Sequence, residues 1–120
     1  MPSYNPIVFT SPAVIEELPV STSTVHDILI PFYANYYGVD VNYMDAIVKC
    51  ESNYMSSAVG DHGTSFGVAQ LHYPSTKGFT IPQALNAMIS LNYMAKALKN
   101  GTDHWTCQQN VGTLAYSSSP

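Results

Sequence analysis

Glu51 is the residue with chemistry to offer, because it stands on the apolar side of a helix. The run from Asp40 to Tyr54 has helical periodicity, with Met44, Ile47 and Val48 on one stripe. Glu51 follows Ile47 by four positions and Val48 by three, so it falls on that stripe, in the last turn. Burial penalises its ionised form, and the negative end of the helix dipole penalises it again. A carboxyl group kept neutral near pH 7 is what a general acid requires. The plain alternative is a carboxylate that snorkels to water from a frayed helix end.

Composition limits what such an acid can act on. At 120 residues the chain is one small domain with room for a single core and none for a cofactor domain, so no cofactor is expected. Only 10% of residues are charged, arginine is absent and the formal net charge is -4. Nucleic acid is therefore a poor partner, since phosphate neutralisation needs a basic surface. Fourteen aromatic residues, nine of them tyrosine, suit either core packing or stacking on sugar rings. No stretch is long and apolar enough to span a bilayer, and the first residues lack the basic-then-apolar order of a secretory signal.

Cys50 and Cys107 are the only cysteines. An even pair is compatible with one disulfide, which would close a loop of 57 positions, contribute about 4 kcal/mol and bring Trp105 near Glu51. Two buried thiols are the alternative in a reducing compartment. Asp61, His62 and His72 match no familiar zinc spacing, so no metal is expected. His26 and His104 look like surface or capping histidines.

The elements that must position Glu51 are legible in outline. Residues 1–22, rich in Pro, Ser and Thr, are predicted to form an arm or linker, and residues 23–120 the domain. Val25, Ile28, Leu29, Phe32, Tyr33, Tyr36 and Tyr37 recur at helical spacing, with Thr24 or Ser23 as cap, Gly38 as stop and Pro31 as a source of irregularity. Asp40 or Asn42 caps the Glu51 helix. Gly60, Gly63, Gly67 and Gly78, with Asp61 and Pro74, predict a hairpin or irregular lobe, then a short element around Val68 to Leu71. A last helix starts at a Thr80–Gln83 capping box, buries Ala84, Ala87, Met88, Leu91, Met94, Ala95 and Leu98, and stops at Gly101. The predicted fold class is α+β and mostly helical, with a small non-helical or β lobe facing the acid.

Glu51-Ser52, followed by Ser65-Phe66-Gly67-Val68-Ala69-Gln70 and a capped helix, resembles the lytic transglycosylases of the soluble type and the goose-type lysozymes. The likeness spans residues 44–107. It implies a lysozyme-like fold and cleavage of peptidoglycan between N-acetylmuramic acid and N-acetylglucosamine. In that family a Glu-Ser pair closes the catalytic helix and a Gly-Leu-Met-Gln-like run lines the groove. The chain departs from the family's late Ala-Tyr-Asn-Ala-Gly-like run, having His104-Trp105-Thr106-Cys107 there, so Tyr93, Trp105 or Tyr116, in that order, would take the tyrosine's place.

The resemblance implies that one acid suffices if the substrate supplies the nucleophile. Glu51 would protonate the leaving oxygen, then take the proton of the sugar's own C6 hydroxyl as it closes on C1, giving a 1,6-anhydro end. Ser65 and Gln70 would orient the muramyl residue or hold Glu51. A hydrolase needs a second carboxylate, and Asp61 is the lobe's candidate, although an aspartate in a Gly-Asp-His-Gly run is commonly a turn-former. A silent glycan-binding module is the reading from a different class. The implied partner is a peptidoglycan strand met by a monomer. The implied place is extracytoplasmic or at the cell wall, reached from a longer N-terminus or by phage-driven lysis.

Overall fold

The structure, a computed structural model, describes residues 20–111. The predicted arm up to residue 19 and Tyr116 lie outside the described residues. The first helix, α1, runs on through Thr22–Thr24, Val25–Leu29 and Ile30–Tyr37, its middle stretch wound as a π-helix. Its cap is Ser21, not Ser23 or Thr24: Ser21 Oγ accepts the Thr24 N–H at 3.1 Å, so the helix begins inside the predicted arm.

Pro31 changes which face of α1 is buried. It has no N–H for the Asp27 carbonyl and its ring crowds that carbonyl, so the turn before it widens and the Ile30 N–H reaches back five residues to Val25. One extra residue in a turn rotates every later side chain by about 100°. The predicted stripe is therefore overturned at Ile28, Phe32 and Tyr36. Val25, Ile30 and Ala34 are buried, whereas Ile28, Phe32 and Tyr36 are 60%, 59% and 73% exposed. Leu29, Tyr33 and Tyr37 pack at the margin of the core.

Gly38, with φ 74°, ends α1, and helix α2 follows at Val41–Ser52. Asp40 is its cap, accepting the Tyr43 N–H at 3.0 Å. Met44, Ile47 and Val48 are fully buried, each contributing about 1.5–3 kcal/mol, and together they fix the helix's rotational phase. That phase carries Glu51 inward.

The lobe is a three-stranded antiparallel sheet of two-residue strands, β1 Val59–Gly60, β2 Ser65–Phe66 and β3 Leu71–His72, paired in chain order. Gly60 faces Ser65, and Ser65 faces His72. The element expected around Val68 is a turn leading into β3. A 3₁₀ turn at Pro74–Lys77 leads on to helix α3, Ile81–Ala84, which opens with the predicted Thr80–Gln83 capping box. The single long helix expected from Thr80 is two helices. Asn86 accepts the Ile89 N–H and caps a new one, α4, Ala87–Asn100, which Gly101 ends. After the break Met88 is 47% exposed instead of buried, and Ala97 joins the core.

The break lies beside Gly67. A Cβ there would come within 2.0 Å of the Ala84 carbonyl oxygen, and Gly67 also has φ 84°. Gly67→Ala is expected to lose about 2–4 kcal/mol of stability by strain and overpacking, read from urea denaturation; an unchanged midpoint would disprove this contact. The architecture is α+β and mostly helical, as expected. Among the described residues no helix is long and apolar enough to cross a membrane.

Candidate active site

The end of α2 is fastened to the lobe through the turn Gly67-Val68-Ala69-Gln70. Three successive carbonyls of that turn each accept a side chain. Gln70 Nε2 donates to Gly67 at 3.0 Å and also to Ala58 at 3.2 Å. Buried Ser52 donates to Val68 at 2.7 Å, and the Trp105 indole N–H donates to Ala69 at 2.6 Å. A buried carbonyl left unpaired would cost about 1–3 kcal/mol, so the bonds from Ser52 and Trp105, which come from outside the turn, help fix where it sits. Glu51-Ser52 and the Gly-Val-Ala-Gln run thus meet because Ser52 ties one to the other.

The disulfide Cys50–Cys107 is present, with a Cα separation of 6.0 Å. It clips the segment after α4 onto the last turn of α2. The Cys107 N–H then reaches Glu51 Oε2 at 3.1 Å. Glu51 is half-buried, and burial pushes its carboxyl above the ordinary range. The Cys107 N–H pulls it back down, and the negative charge of Asp61 pushes it up again.

Glu51 lines an open cleft of about 660 Å³ between the sheet and the segment 103–106. Asp61, Ser65, Gln70, His72, Lys77, Asp103 and Trp105 line it too. Of the residues the sequence singled out, Glu51, Ser65, Gln70 and Trp105 therefore share one cleft, whereas Tyr93 is not on its wall. Tyr93 donates its hydroxyl to Asp103 at 2.7 Å and packs edge-on against Phe79 and Trp105. Burial, then the bond to Asp103 and its charge, raise the Tyr93 hydroxyl pKa. Neither Ser65 nor Gln70 holds Glu51 as expected; the backbone N–H of Cys107 does. Gln70 spends its amide on the lobe, and its Oε1 occupies the space a Cβ at Gly60 would need.

Ser65, 1% exposed, donates to Asp61, and its oxygen lies 3.0 Å from His72 Nδ1. Thr64 Oγ1, whose proton goes to the Asp61 carbonyl, lies 3.3 Å from the same nitrogen. Both hydroxyl protons are thus committed elsewhere, which makes His72 Nδ1 the donor. Asp61 does form a turn, as its sequence setting suggests, with φ 52°, and it also faces the cleft. Alternation along β3 was the one signal for His72: Leu71 is buried and His72 exposed.

Asp103, Lys77 and His104 were not legible as cleft residues. Lys77 Nζ lies 2.9 Å from Asp103 Oδ2, and the His104 N–H donates to Asp103 Oδ1 at 2.8 Å. Burial works to raise the Asp103 pKa, but Tyr93, Lys77 and the His104 N–H outweigh it and the net shift is downward. Asp61, His62, Gln70 and Tyr73, all on the cleft wall, have φ of 52°, 59°, 47° and 47°. Such backbone costs of order 1–3 kcal/mol per residue and gathers at working sites. The chain matches no protein-family model, no curated protein and no solved structure. Chemically, the cleft wall combines a half-buried carboxyl group of raised pKa with a second carboxylate held by a buried hydroxyl.

Proposed function

We propose that this chain is a lytic transglycosylase that cleaves the peptidoglycan bond between N-acetylmuramic acid and N-acetylglucosamine, with Glu51 as the sole acid and base. One observation carries the reading: a half-buried carboxyl group of raised pKa lines an open cleft of about 660 Å³, beside the pinned Gly67–Gln70 turn. A neutral Glu51 protonates the glycosidic oxygen as it leaves. The resulting carboxylate, steadied by the Cys107 N–H, removes the C6 hydroxyl proton as that oxygen closes on C1. Proton and charge balance without an outside nucleophile. Trp105, 7% exposed and with its N–H committed to Ala69, adds only the edge of its core-packed ring to the cleft wall. The oxidised cysteine pair fits work outside a reducing compartment.

Asp61 favours a second reading. Its carboxylate lines the same cleft and its charge is felt by Glu51, which supplies the second carboxylate an inverting muramidase needs to activate water. Digestion of purified peptidoglycan separates the two by mass: anhydro ends support the transglycosylase, reducing ends the muramidase. Asp61→Asn is expected to keep anhydro products and retain activity within about tenfold. A loss of a hundredfold or more, toward the full contribution of a general base, assigns the chain to hydrolysis. Capture of the glycan with no cleavage in either protein leaves a binding module.

A further inference from the structure

The cleft wall formed by the Pro74–Lys77 turn and residues 103–106 carries a cation that the acid chemistry does not use. The chain has four lysines, and Lys49, Lys96 and Lys99 lie away from the cleft. Lys77 lines it, with its side chain 19% exposed. Among the described residues its one partner is Asp103, while an ammonium group has three hydrogens to give.

Asp103 does not depend on Lys77 alone. The Tyr93 hydroxyl and the His104 N–H also donate to it, so Lys77 can share or exchange its bond without leaving a partly buried carboxylate bare. A second acceptor brought in by a ligand would complete the ammonium group's coordination. The wall also holds Glu51, Asp61 and Asp103 and the histidines His62, His72 and His104, and Lys77 is its one ammonium group, so a ligand carboxylate that enters has that group to bridge it to Asp103. We infer that Lys77 is an anion subsite that takes a carboxylate carried by the muramyl sugar, so that the cleft selects acidic glycan strands over neutral ones.

This rests on the glycan-cleaving reading and deepens it. The carboxylate has two sources. A bare strand presents the lactyl carboxylate next to the ring. A strand bearing stem peptides has that group tied up as an amide and presents peptide carboxylates farther out.

The test is calorimetric binding to the Glu51→Gln protein, which holds glycan without turning it over. Three soluble ligands are compared: peptide-bearing strands, strands stripped of peptide by an amidase, and neutral N-acetylglucosamine oligomers. At least one acidic ligand is expected to bind about tenfold or more tightly than the neutral one, with a preference that shrinks as salt rises. Preference kept by the stripped strand assigns the lactyl group; preference kept only with peptide assigns the stem. Lys77→Met in the same background should erase the preference and leave neutral-oligomer binding within about twofold, and Lys77→Arg should restore it. Equal weakening toward all three ligands makes Lys77 a structural latch and overturns the inference. So does a starting protein that does not distinguish acidic from neutral strands. Failure to bind any of the three removes the functional reading as well.

Discussion

Glu51→Gln is expected to lower the rate of glycan cleavage by roughly a hundred- to ten-thousand-fold, the range a positioned general acid supplies, while the thermal midpoint holds or rises. The amide oxygen of glutamine can still accept the Cys107 N–H, so the one bond that orients the side chain survives. What disappears is the proton. The pH profile gives the matching signature in the unmodified protein. Because burial raises the Glu51 pKa above its ordinary 4.5, the native state binds the proton more tightly than the unfolded chain does. Its contribution to stability is whole below pH 4.5 and is lost as pH climbs through the raised native value, and Glu51→Gln should flatten that slope. Activity should fall along the same alkaline limb, as the donor ionises. An active Glu51→Gln protein, or a rate that climbs steadily into alkaline pH, would remove Glu51 from the chemistry.

Replacing both Cys50 and Cys107 by alanine is expected to cost about 4 kcal/mol, measured by urea denaturation against the oxidised protein. Closing a loop of 57 positions restricts the unfolded chain about 1 kcal/mol more than a clip of roughly 15 would, because the effect grows only with the logarithm of length. A second consequence is local. The Cys107 N–H is the group that lowers the Glu51 pKa, and the bond to Cys50 holds it in place. Loosening it should move the alkaline limb of the activity profile to higher pH, in whatever fraction remains folded. A loss below about 1 kcal/mol would mean that the surrounding packing already fixes this segment, and an unmoved limb that Cys107 keeps its place unaided.

The parts of this molecule that depend on uninterrupted local periodicity were open to reading from residues alone. Helix α2 has an aspartate cap and an apolar stripe without a proline or glycine inside it, so its phase, and with it the inward face of Glu51, follows from spacing. Helix α1 shows the limit. Pro31 announces an irregular helix, but nothing local says that the irregularity is a whole extra residue, and the buried face slips from Ile28 and Phe32 to Ile30 and Ala34. The break at Asn86 had a local signal, since asparagine is a favoured cap, yet the apolar repeat runs straight through it and hides it.

The far wall of the cleft was least visible for a plain reason. The Lys77–Asp103 pair and the bond from Trp105 to Ala69 join residues widely separated along the chain, and neither partner's neighbours hint at the other. Gln70 was noticed for its place in a run, but its amide faces inward to Ala58 and Gly67 because a buried carbonyl outbids solvent.

His62 and Tyr73 hold a backbone twist that only glycine adopts freely, and both stand on the cleft wall. Random variation screened for heat resistance alone should therefore drift toward glycine at these two positions, relaxing the main chain while stripping the surface a ligand meets. Directed evolution of a hardier form would have to select for turnover at the same time, or it would arrive at a sturdy molecule with an empty hand.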